Sequence, residues 1–145
     1  QLDDLEKEIS LLLHNTNQVI TSSTGIGDVL GAIIIGEIGD ISRFDSASKL
    51  VAFADLDIKV NQSGQFTGNQ MKISKRGSPY LRRAIWTAAN CAAFYDPVLS
   101  NYYQSLRARG KHHLTAVGAV ARKMCNIIFA ILRDNKIYVP ILTKR

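Results

Sequence analysis

From Leu2 onward, apolar positions recur at alternating three- and four-residue steps: Leu2, Leu5, Ile9, Leu12, then Thr16 and Val19, with acidic residues on the outer side. That heptad seam predicts a helix over residues 1–20, either the end of a coiled coil or an amphipathic helix packed on its own domain. The next stretch reads T21-S-S-T-G-I-G-D-V-L-G-A-I-I-I-G-E-I-G-D40. Ser23 or Thr24 is suited to cap, Gly25-Ile26-Gly27 to turn tightly, and residues 29–38 to form an apolar helix stopped near Gly39. A short helix follows within residues 42–54, capped by Asp45 or Ser46. From residue 55 the pattern changes: Ile58 and Val60 alternate with polar side chains and Ser63-Gly64 marks a turn. A loose hairpin or loop is expected over residues 55–77.

The remainder is periodic at 3.6. Ser78 followed by Pro79 is an N-cap with proline at the first helical position. Leu81, Ile85, Ala88 and Ala92 then make an apolar stripe, and Arg83, Thr87 and Asn90 a polar one. Asp96-Pro97 breaks this helix, a second runs over 98–109 to Gly110, and a third over 114–135. That third helix should bury Val117, Val120, Met124, Ile127, Ile128 and Ile131, with Arg122 and Lys123 on or beside its polar side. The tail from Ile137 to Leu142 should pack back as an extended segment. The expected class is mainly α: a helix-hairpin-helix-like element (21–54), a small hairpin or loop (55–77) and a helical bundle (78–145), preceded by the coiled-coil-like helix of residues 1–20.

Composition narrows the partners. At 145 residues the chain fits one domain with a real core. It begins with Gln and not Met, which reads as a fragment of a longer protein, and no signal peptide or transmembrane span is evident. Cys91 and Cys125 lie far apart in apolar helical patterns and read as small core residues. The net charge of +6 is split unevenly: residues 1–57 carry three basic and ten acidic side chains, and residues 58–145 fifteen basic and two acidic. A basic block of that size points to a polyanion.

Within it, the stretch K72-I-S-K-R-G-S-P-Y-L-R-R-A84 holds two serines. Ser78 is occupied as a cap. Ser74 has no such task and stands among Lys72, Lys75, Arg76, Arg82 and Arg83. Cations at that density can hold a phosphodiester and stabilise charge developing on its oxygens. A hydroxyl there attacks phosphorus only if something removes its proton. No general base is evident beside it: Asp96 sits at a helix break, and His112-His113 read as solvated or phosphate-contacting. On residue chemistry alone, a structural turn residue is the simpler reading of Ser74. Arg107, Arg109 and Lys111 extend the basic surface. Gly25 and Gly27 would let backbone approach a phosphate near a helix start, opposed by Asp28. No carboxylate cluster suited to Mg²⁺ is apparent.

Several segments in order, among them T-G-I-G-D-V-L-G, K-L-V-A-F-A-D-L-D, N-Q-S-G, K-I-S-K-R-G-S-P-Y-L-R-R-A and A-V-G-A-V-A-R-K-M-C-N-I-I-F, resemble the C-terminal domain of the Piv-type insertion-sequence transposases. These are the DEDD-type, RNA-guided bridge recombinases of the insertion-sequence family numbered one hundred and ten. The likeness covers residues 20–139, and S-K-R-G…L-R-R is its most specific part. It implies a composite site. Ser74 would be the nucleophile that forms a phosphoserine link to DNA, with Lys75, Arg76, Arg82 and Arg83 as its basic company. A separate RuvC-like domain would hold Mg²⁺, so no cofactor is expected in this fragment. The resemblance also implies DNA and a guide (bridge) RNA as partners, a homo-oligomer, no membrane, and a cytoplasmic, nucleoid-associated setting in a bacterium or archaeon. Ala54-Asp55 departs from the glycine-containing turn common in the family. Two other readings use the same residues: a non-catalytic nucleic-acid-binding module, and a coiled-coil assembly domain.

Overall fold

A computed structural model describes residues 2–16, 19–57 and 77–141, with the side chains of 10–16 excepted. Six α-helices are present among them: α1 (Leu2–Thr16), α2 (Asp28–Ile38), α3 (Ala47–Phe53), α4 (Pro79–Tyr95), α5 (Pro97–Ala108) and α6 (His113–Asp134). The described residues contain no strand; of the hairpin or loop expected over residues 55–77, positions 58–76 lie outside them.

Helix α4 sits at the centre because its inner face is small. Leu81, Ala84, Ile85, Ala88, Ala89, Ala92 and Ala93 are all buried, and the alanines let α2, α5 and α6 approach closely. Helix α6 is the second pillar, burying Val117, Val120, Met124, Cys125, Ile128 and Ile131. It is long and apolar enough to cross a membrane on length and composition alone, yet most of its apolar stretch lies inside the bundle. Helix α3 packs on α6, and α1 on α2. Leu2 and Leu5 of α1 are 71% and 53% exposed, so the first part of the heptad seam is not covered by this chain.

Helix ends follow the local chemistry with two exceptions. The Ser78 hydroxyl accepts from Leu81 N–H at 3.0 Å, and Asp96 accepts from Val98 and Leu99 N–H at 2.9 Å each. Gly39 and Gly110 take positive φ beyond α2 and α5, and Asn135 does so beyond α6. Neither Ser23 nor Thr24 caps α2: the cap position is Gly27, with no side-chain bond. Thr24 donates instead to the Asp96 carboxylate at 3.0 Å, while Ser23 is buried. Ser46 precedes α3 without a side-chain cap bond. Asp55 has φ of 55°, a conformation that aspartate tolerates better than most side chains.

Gly25 owes its identity to packing. Its φ is +90°, and a Cβ there would stand 2.5 Å from the Ala88 carbonyl oxygen on α4. Gly25→Ala should therefore destabilise the fold by about 3 kcal/mol, combining left-handed strain and overpacking. The check is a shifted urea midpoint at unchanged slope. The cysteines divide: Cys125 is buried, its thiol pushed up to about 12 by burial and then by the Asp57 charge, whereas Cys91 is exposed. The expectation of two core cysteines holds for one; Cys91 falls on the outer flank of α4, one position short of buried Ala92.

The tail docks by its backbone and one ring. Tyr138 N–H donates to the Ser22 hydroxyl at 2.7 Å, while Ile137, Val139 and Ile141 point outward. Burial, then a hydrogen bond to Asp96 and that carboxylate's charge, hold the Tyr138 phenol well above its ordinary value of 10.0. A raised folded pKa contributes stability that is complete below the unfolded value and lost as pH rises beyond it. Stability should accordingly fall above about pH 10 through this group, and Tyr138→Phe should flatten that part of the profile in denaturant titrations.

Candidate nucleic-acid interface

The corner formed by the end of α3 and the starts of α4 and α6 gathers the chemistry-bearing residues. Ser78 N–H donates to the Phe53 carbonyl at 2.8 Å, and Asp57, the last described residue before the segment that contains Ser74, lines a cleft of about 310 Å³ beside it. Residues 57 and 77, which bracket that segment, thus belong to one corner of the bundle. Ser74, Lys72, Lys75 and Arg76 themselves lie outside the described residues.

Ser78 is spent twice. Buried at 5% exposure, its hydroxyl accepts from Leu81 N–H and donates to the Glu37 carboxylate. Arg82 and Arg83 open α4 on its exposed side. Arg82 is exposed and also engaged within the chain: its Nε donates to the Asp55 carbonyl at 3.3 Å, and its guanidinium lies 5.4 Å from the centre of the Trp86 ring. Across the cleft, Arg122 of α6 donates to the Leu56 carbonyl at 3.3 Å. Gly118 lies against both side chains: a Cβ there would meet the indole edge at 3.4 Å and an Arg122 nitrogen at 3.7 Å, ordinary contact distances.

The second basic group borders the same end. Arg107, Arg109 and Lys111 are exposed around the turn from α5 to α6, where Arg107 donates to the Lys111 carbonyl at 2.9 Å. Leu114 and Thr115, just beyond, line the cleft. The two glycines part company: Gly25 turns against α4, while Gly27 has open space around it. The histidines are tied locally. Leu114 N–H donates to His112 Nδ1 at 3.2 Å, and His113 Nδ1 pairs with the Tyr103 hydroxyl at 2.7 Å. Asp96, fully buried, accepts from two backbone N–H groups and from Thr24. Among the described residues no three His, Cys, Asp or Glu side chains gather to hold a metal.

Trp86, Gly118 and the inward placement of Arg122 were not singled out from the sequence. Their signal was spacing: Arg82 and Trp86, like Gly118 and Arg122, are four apart and so share a helix face.

Comparison with known proteins bears on what such a corner serves. A protein from the insertion element IS900 of Mycobacterium paratuberculosis is 36% identical over 131 residues, covering 90% of this chain and 33% of the relative. One from the insertion element IS110 of Streptomyces coelicolor is 33% identical over 136 residues. The pilin gene-inverting protein of Moraxella bovis is 28% identical over 125 residues, 86% of this chain and 39% of that protein. The chain spans about a third of the length of the curated relatives it matches. The family model for the IS116/IS110/IS902 transposases matches residues 17–104, more than half of the sequence, and the chain belongs to that family.

Proposed function

We propose that this chain is the DNA-binding and strand-exchange domain of a transposase, with Ser74 as the nucleophile of a composite site completed by a RuvC-like domain. The observation that carries this reading is the double engagement of Ser78. Of the two serine hydroxyls in the family-like basic motif, that one has its proton committed to Glu37 and one lone pair committed to the cap of α4. In the proposed step, Ser74 Oγ forms a bond to phosphorus and the bond from phosphorus to the departing deoxyribose oxygen breaks. The leaving oxygen takes up a proton, and the serine proton passes to a base supplied by the assembled site. The exchange is a transesterification, so the phosphodiester energy is stored and the strand can be rejoined. Mass-spectrometric capture of a DNA adduct on Ser74, using the full-length protein and a suicide substrate, tests it; an adduct on any other side chain overturns it.

The basic half of the chain would grip phosphates through Arg83, Arg107, Arg109 and Lys111, all exposed. Duplex affinity should fall linearly in log–log plots against salt, with a slope near −0.9 per phosphate neutralised. Arg107→Ala or Lys111→Ala should lessen the slope by about one unit each and weaken all sequences alike. Absence of specific nucleic-acid retention would instead favour the assembly-domain reading. The uncovered Leu2 and Leu5 of α1 support pairing with another helix, consistent with a homo-oligomer. A guide RNA would share the same basic face.

A further inference from the structure

The cleft between α4 and α6 is built differently from a phosphate clamp. Two arginines, Arg82 and Arg122, and two aspartates, Asp55 and Asp57, line it, so its formal charge cancels. Both guanidiniums already donate to backbone carbonyls. An anion entering this space would meet the aspartates; a neutral, flat molecule with polar edges would not. The half-buried Trp86 indole forms one wall, with Arg82 above one face and Gly118 beside its edge. Leu114, 57% exposed, supplies apolar surface at the rim. A volume of about 310 Å³ lies at the small end of ligand sites and suits a single ring system, with no room for a duplex or a peptide.

From this geometry we propose that the cleft takes one unpaired nucleobase of a nucleic-acid strand, with Trp86 as the stacking platform and Asp57 as acceptor for the base's exocyclic amine. The inference rests on the nucleic-acid reading above and deepens it. Strand exchange opens base pairs, and an unstacked base loses its neighbours unless an aromatic face replaces them. Base–aromatic stacking tolerates any base, and Asp57 would favour the amine-bearing bases over thymine or uracil.

Trp86 is the single tryptophan of the chain, so its emission reports on the cleft alone. The chain would be titrated with a short single-stranded DNA, the matching RNA, the same DNA strand made abasic throughout, and a duplex. Intact single strands should quench Trp86 and bind about ten-fold more tightly than the abasic strand, the loss expected for one base–aromatic stack. Quenching by DNA, RNA or both names the source of the base. Trp86→Leu should erase the difference between intact and abasic strands in a labelled-strand anisotropy assay, and Trp86→Phe should keep part of it. Equal affinity for intact and abasic strands, or quenching by duplex as strong as by single strands, would overturn the cleft assignment while leaving salt-dependent binding standing. Failure to bind any of the four nucleic acids would overturn both readings.

Discussion

Ser74→Ala, introduced into the full-length transposase, should abolish strand exchange by a factor on the order of 10⁴ or more while leaving DNA affinity within about two-fold. The size of the effect follows from the role. A nucleophile that forms the covalent link has no understudy, and removing it deletes the path and not merely a contribution to the barrier. The small effect on binding follows from the charge distribution: affinity comes from many cations, fifteen basic side chains in residues 58–145, and one neutral hydroxyl adds little to counterion release. Ser78→Ala is the matching control. It should cost about 1 kcal/mol of stability by uncapping α4, and at temperatures where the variant stays folded, exchange should persist. If Ser78→Ala abolished exchange in folded protein and Ser74→Ala did not, the assignment would pass to the wrong serine and fail.

Asp96→Ala is expected to give the largest loss of stability of any single substitution in the described core, about 4 kcal/mol. The carboxylate is fully buried. It receives the first two usable N–H groups of α5, the Thr24 hydroxyl and the Tyr138 phenol. One side chain therefore joins the α4–α5 corner, the turn before α2 and the C-terminal tail. Truncation leaves all four donors without this acceptor at a largely buried junction. The melting temperature should drop by roughly 10 °C for a domain of this length. Asp96→Asn should cost less, because the amide oxygen can still cap α5 while the NH₂ group opposes the Thr24 and Tyr138 donors. Near-equal stability of wild type and Asp96→Ala, measured by urea titration, would show that the junction is not held by this carboxylate.

These two substitutions also mark how legible the molecule was. Helix boundaries at Ser78-Pro79, Asp96-Pro97, Gly39 and Gly110 were readable because the bonds involved span two to four residues: a cap hydroxyl meets an N–H three positions on, and glycine ends a helix by adopting a left-handed turn. The apolar stripe of Leu81, Ile85, Ala88 and Ala92 was readable for the same reason, since periodicity is a local property. Where a side chain could serve either its own neighbourhood or a distant one, local reading failed. Ser23 and Thr24 looked like caps for α2, but Thr24 reaches Asp96, 72 positions away. Cys91 lay in an apolar pattern yet faces outward, because α4 buries the flank that carries Ala88, Ala89, Ala92 and Ala93.

The candidate site divides along the same line. Residue order alone was enough for the family, the charge asymmetry and the Ser78 cap, because motif order, net charge and cap formation depend on positions along the chain. The meeting of Arg82, Trp86, Gly118 and Arg122 required the packing of α4 against α6, with Arg122 reaching the Leu56 carbonyl 66 positions away. No periodicity encodes such a meeting. It arises from the shape complementarity of buried faces, alanine on one helix and glycine on the other, which sets how closely two distant segments can come together.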